Sequence, residues 1–169
     1  MVPEGVASEA LNAFFGASLK AGQNVSRGNL SVNMLPFVPQ DEFDHVLWQA
    51  DFNIVRGEDS LVRGLWARKP LLWHIYPQQE AAHLPKLQAF LEVYGQELTS
   101  AKAKMLANMH HLWNVSPGDW PASWPQLRGQ LAGLSGAAAK VAARLAQQPD
   151  LAQQLVHLVT ALARKQTEG

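Results

Sequence analysis

Two short apolar runs, Phe52 to Val55 and Leu71 to Tyr76, flank a stretch with helical spacing, and that order leaves few folds open. The first run enters the turn Arg56-Gly57, after which Leu61, Val62, Leu65 and Trp66 recur as on one side of a helix of about two turns. The second run, Leu71-Leu72-Trp73-His74-Ile75-Tyr76, is apolar on both faces, as a strand covered from both sides must be, and Pro77 ends it. A strand, a helix and a second strand in this order make a parallel crossover unit, right-handed by rule. The spacing therefore predicts an α/β fold with a small parallel sheet.

The rest of the chain can be read around this unit. Val6, Leu11, Phe14 and Phe15 place an opening helix over residues 4–15, stopped by Gly16. From Gly28 to Phe37, Leu30, Val32 and Met34 or Leu35 alternate with Asn29, Ser31 and Asn33, which predicts a strand that breaks at Pro36 and Pro39. Asp41 can cap a short helix carrying Phe43, Val46, Leu47 and Ala50. Beyond Ala81 every segment reads as helix: 82–94, 96–113, 127–148 and 151–165, with a link rich in Pro and Trp through Pro125. A single domain over 1–169 is expected, α/β in 1–80 and mainly helical in 81–169.

Composition narrows what such a fold can do. With 169 residues, 47% hydrophobic and 17% charged, the chain can bury a core, which excludes general disorder. Fourteen Lys and Arg balance 14 Asp and Glu, so the basic field of a dedicated nucleic-acid binder is missing and a small polar ligand suits the chain better. There is no cysteine, hence no disulfide, thiolate metal site or catalytic thiol, and a cytoplasmic location is expected. Glu4 and Glu9 stand where a signal peptide carries positive charge, and no apolar run approaches the roughly 18 residues of a membrane span, so neither export nor membrane insertion is expected.

Chemistry concentrates in one turn. The G-x-G-x-x-G and G-x-x-x-x-G-K phosphate motifs are both absent, but Arg56-Gly57-Glu58-Asp59-Ser60 lies between a buried strand and a helix start. Ligands of open α/β sheets bind beyond the strand C-termini, where a helix N-terminus offers unpaired amides. There Arg56 can clamp an oxygen pair, Gly57 permits close approach and Ser60 can donate its hydroxyl. Glu58 and Asp59 repel a phosphate, so they would cap the helix, orient Arg56, or bond a sugar hydroxyl or ring nitrogen. A plain capping cluster and a phosphate cradle both fit. In Pro36-Phe37-Val38-Pro39-Gln40, the Phe37 ring beside the Gln40 amide could stack on a base and read its edge, or serve as core and helix cap. Tyr76, at the end of the next strand, lies on the same expected edge as Arg56. His110 and His111 face apart on a helix, and His45, His74, His83 and His157 lack ligand spacing, so no metal site is expected.

The whole segment from Pro36 to Gln78, with RGEDS and WHIYPQ as its distinctive pair, closely resembles the C-terminal domain of the elongation factor P maturation arginine rhamnosyltransferases. The likeness runs on through Lys86 to Leu91, Leu112-Trp113-Asn114 and Gln148-Pro149-Asp150-Leu151. It implies the Rossmann-like C-terminal half of a GT-B glycosyltransferase. Such enzymes transfer rhamnose from dTDP-β-L-rhamnose to an arginine of elongation factor P, with inversion, and need neither metal nor further cofactor. By the resemblance Phe37 would stack on thymine and Gln40 would contact the base. Arg56, Gly57, Glu58, Asp59, Ser60 and Tyr76 would surround ribose and diphosphate. Arg56, with the helix amides, would stabilise the leaving group, and Glu58 and Asp59 would position the donor.

Family members are considerably longer, and the domain without a counterpart here carries the aspartates that activate the acceptor. The resemblance therefore implies a donor-binding half that is not expected to catalyse alone, and three origins stay open for it: a truncated gene product, a gene fragment, or one part of a split enzyme whose partner is a separate N-terminal half. GT-B enzymes tend to return their last helix to that domain, so residues 151–165 are expected to pack differently and expose apolar surface. Two alternatives stand beside this: a GT-B half with another nucleotide-sugar donor, and a non-catalytic interaction module whose Trp113, Trp120 and Trp124 face a partner.

Overall fold

The computed structural model describes residues 1–115 and 120–167, and the chain divides into two compact units, Met1–Val46 and Leu47–Gly169. In the first unit a three-stranded sheet has the order β1 (Val2–Pro3), β3 (Leu30–Leu35), β2 (Asn24–Arg27). Strand β3 pairs parallel with β1, Val2 opposite Met34, and antiparallel with β2, Val25 opposite Val32. The expected alternation holds at Val32 and Met34, which are buried while Ser31 is exposed, but not at Leu30, which is exposed at the start of the strand. Strand β2 was not expected, because Val25 is its one apolar residue and a polar edge strand carries no period. Helix α1 (Ser8–Phe15) starts later than expected, since Val2 and Pro3 pair with β3 and Gly5 then turns the chain with φ +83°. Gly16 ends α1 in the left-handed conformation, as its position suggested. Arg27 of β2 lies over the Phe14 ring and donates to the Phe14 carbonyl, tying the hairpin to α1. Helix α2 (Gln40–Gln49) follows the loop of Pro36 and Pro39.

The second unit holds the expected crossover. Strands β4 (Asn53–Val55) and β5 (Leu71–Trp73) pair in parallel, Asn53 opposite Leu71 and Val55 opposite Trp73, with α3 (Glu58–Trp66) between them in sequence. Gly64 lets α3 lie close on the sheet: a Cβ there would come 3.3 Å from Leu71 Cδ2 and 3.4 Å from Val55 Cγ1. Leu71 and Leu72 are fully buried, as a strand apolar on both faces requires. Strand β5 ends at Trp73 rather than Tyr76: the His74 amide still reaches the carbonyl of Val55, the last residue of β4, and the Ile75 amide is taken by the Asn114 side chain.

Past a single turn of 3-10 helix at Gln79–Ala81, all the described structure is helical: α4 (His83–Gly95), α5 (Ser100–Val115), α6 (Trp120–Leu145) and α7 (Leu151–Thr167). None of the described helices is long and apolar enough to cross a membrane. Helix α6 begins before the expected Leu127. Pro121 sits in its first turn, where no amide bond is needed, and Pro125 forfeits one. Burial of Trp120 and Trp124 against a core of Met105, Met109, Leu127 and Leu134 outweighs that loss. Residues 116–119, part of the expected link, lie outside the described residues.

Candidate functional site

In the first unit the loop before α2 presents Phe37 with 99% of its surface exposed. An aromatic ring left wholly in water adds nothing to a core, so the core reading of Phe37 fails and a ligand-facing role stays open. Gln40 is the first residue of α2 and is also exposed.

In the second unit the turn from β4 to α3 carries the RGEDS residues. Gly57 is the residue before the helix, with φ −71° and ψ 160°, an extended conformation open to any residue. Its backbone does not demand glycine; what the absent side chain leaves is a helix start with no capping oxygen over it. The first bond of α3 runs from the Leu61 amide to the Gly57 carbonyl, so the amides of Glu58, Asp59 and Ser60 precede the helix ladder. These three amides stand at the positive end of the helix dipole, which favours an anion.

Arg56, the last residue before this turn, projects its guanidinium 4.5 Å from the centre of the Tyr76 ring. A Cβ on Gly57 would lie 3.7 Å from Tyr76 Cε2, so the ring stands beside the turn as well. The structure thus brings Arg56, Gly57 and Tyr76 together, as their places beyond two parallel strands suggested. Glu58 and Asp59 are exposed in the first turn of α3, and neither is ion-paired with Arg56. Ser60 is half-buried behind them. His74 is half-buried nearby; burial first, and the Arg56 charge second, hold it below its ordinary pKa of 6.5. Among the described residues no three His, Asp or Glu side chains gather to hold a metal ion.

Three residues that sequence reasoning missed hold this geometry. The Trp73 indole N–H donates to the Arg56 carbonyl at 2.8 Å. His110 Nε2 accepts from the Trp73 amide at 3.1 Å. Asn114 accepts from the Ile75 amide at 3.0 Å and donates to the Trp73 carbonyl at 2.9 Å. Asn114 belongs to the Leu112-Trp113-Asn114 stretch singled out by resemblance, and the spacing of four from His110 was the one local hint that both share a helix face. The tryptophans of the interaction-module reading have another use. Trp113 and Trp120 meet edge to face at 4.7 Å, and Trp120 and Trp124 pack against the α5/α6 core, so these rings are half-buried inside their own unit.

The chain as a whole matches one family of known proteins. Residues 1–160 match the model of the Elongation-Factor P (EF-P) rhamnosyltransferase EarP. The chain is 44% identical over 158 residues to the protein-arginine rhamnosyltransferase of Pseudomonas putida, covering 93% of this chain and 42% of that protein. It is 46% identical over 119 residues to that of Pseudomonas aeruginosa, covering 70% of this chain and 32% of that one. A solved structure described as the structural basis for EarP-mediated arginine glycosylation of translation elongation factor EF-P superposes with a TM-score of 0.81 at 40% identity. That match covers 95% of this chain and 50% of the other. The chain therefore spans half or less of the proteins it matches.

Proposed function

Because the chain belongs to the elongation factor P rhamnosyltransferase family, we propose that it is the donor-binding half of a protein-arginine rhamnosyltransferase. In this reading it is one Rossmann-like half of a GT-B enzyme. It binds dTDP-β-L-rhamnose and serves the inverting transfer of rhamnose to an arginine of cytoplasmic elongation factor P.

One observation carries most of the support: Arg56, backed by Tyr76, stands next to the uncapped amides of Glu58, Asp59 and Ser60. In an inverting transfer the acceptor nitrogen attacks the anomeric carbon as the bond to the diphosphate oxygen breaks, and the diphosphate leaves with the electron pair. Charge grows on that oxygen in the transition state, and donors already fixed at that place stabilise it without reorganisation. Arg56 and the α3 amides are such donors. Glu58 and Asp59, neither paired with Arg56, bond sugar hydroxyls and keep the donor oriented. Phe37 stacks on thymine and Gln40 reads its edge. No metal or further cofactor enters the scheme.

The acceptor guanidinium is a poor nucleophile while protonated, and it stays so to a pKa above about 12. A carboxylate must take its proton, and that group belongs to a second, acceptor-side half. The isolated chain is expected to bind donor nucleotide and to transfer no sugar.

Calorimetric titration with dTDP, using UDP as control, tests the proposal. Selective binding of dTDP is expected, and Phe37→Ala should weaken it about tenfold with no change in melting temperature. Equal affinity for UDP would shift the reading to another nucleotide-sugar donor. Rhamnosylation of elongation factor P by this chain alone would overturn the division of labour.

A further inference from the structure

Trp73 is the point where the second unit's polar contacts converge. Its side chain is buried against Phe90, edge to face at 5.5 Å, and its indole N–H reaches the carbonyl of Arg56. Its backbone amide is held by His110 and its carbonyl by Asn114, which also takes the Ile75 amide one residue further on. The His74 amide between them faces β4 and donates to the Val55 carbonyl, so the Trp73 and Ile75 groups lie on the outer edge of β5, where no strand would pair them. Two side chains one helical turn apart on α5 thus replace a neighbouring strand.

We propose that Trp73, clamped by His110 and Asn114, is a positioning residue for the nucleotide turn, fixing the Arg56 backbone so that its guanidinium and the α3 amides address a diphosphate together. This rests on the donor-site reading of that turn and adds to it the means by which α5, remote in sequence, sets its geometry. A peptide group whose carbonyl is fixed by a buried donor cannot rotate freely. The peptide between Arg56 and Gly57 adjoins the one that carries the Glu58 amide, the first of α3, so its orientation governs where the next amides point. The same clamp fixes the chain at Ile75, and hence the start of the segment that carries Tyr76 beneath Arg56.

A test compares dTDP with dTMP, which lacks the terminal phosphate, on the native 169-residue chain and on Trp73→Phe, which keeps an aromatic ring and removes the indole donor. Trp73→Phe is expected to weaken dTDP binding about fivefold to tenfold, the size of one net hydrogen bond, while changing dTMP binding much less. A purely structural role would lower both affinities alike or neither, and either result overturns the proposal.

A second measurement needs no variant. In nitrogen-15 spectra of the native chain, the Trp73 indole proton should be protected from solvent exchange and shift when dTDP is added. An unprotected indole proton that ignores dTDP overturns the proposal. Failure of the native chain to bind dTDP overturns the donor-site reading and the proposal with it. Native binding that is lost in Arg56→Ala but unchanged in Trp73→Phe leaves the donor site standing and removes Trp73 from it.

Discussion

Arg56→Ala should bind dTDP about a hundredfold more weakly than the native chain and melt almost where it does. A guanidinium facing a diphosphate makes charge-assisted bonds, each worth about 1.5–3 kcal/mol when its partner is charged, and a forked pair lies at the upper end of that range. The stability cost is small by comparison. Arg56 is exposed, and its stacking on the half-exposed Tyr76 contributes no more than about 1 kcal/mol. Calorimetric titration beside a thermal melt separates the two quantities. Arg56→Lys should fall between native and alanine, because an ammonium keeps the charge and loses the fork. Native-like affinity in Arg56→Ala would end the assignment of this turn to the diphosphate.

The second large effect follows pH. His110 is wholly buried, its Nδ1–H donating to the Leu106 carbonyl and its Nε2 accepting from Trp73, so both ring nitrogens are committed with the imidazole neutral. Burial lowers its pKa from the ordinary 6.5 to about 4, and the bond to Leu106 opposes that shift without cancelling it. The unfolded chain takes up the proton first. Stability from the neutral His110 is therefore complete above pH 6.5 and is lost as the pH falls towards about 4. The loss over that interval is about 3 kcal/mol. His74, also lowered by burial, titrates in the same sense. Urea denaturation at a series of pH values measures the slope, and a profile flat through this interval would contradict it. A His110→Gln variant should flatten the part of the slope that belongs to His110.

How much of this was legible in the sequence depended on the range of the interaction. The crossover of β4, α3 and β5 was legible because burial on both faces and helical spacing are written into consecutive residues. So was the RGEDS turn, since a helix start beyond a strand is a local event. Phe37 was legible as an exposed ring only to the extent that flanking prolines suggested a loop. Strand β2 was not, because its order comes from pairing with β3 and not from its own polar residues. The start of α6 misled for the opposite reason: two prolines argue locally against helix, while the burial that overrides them comes from Met105 and Met109 on another element. The clamp on Trp73 joins residues 37 and 41 positions apart, a distance across which a lone sequence carries no pattern.

Helix α7 has one consequence for how the chain unfolds. Every side chain from Leu151 to Arg164 is exposed, with Leu151, Val156 and Val159 more than three-fifths in water. A helix held by so little burial gains little from packing and depends largely on its own marginal helix–coil balance. Its amides should therefore exchange with deuterium through local fraying, long before those of β5, which await opening of the whole unit. Unfolding of the second unit is therefore expected to begin at α7 and reach its strands last.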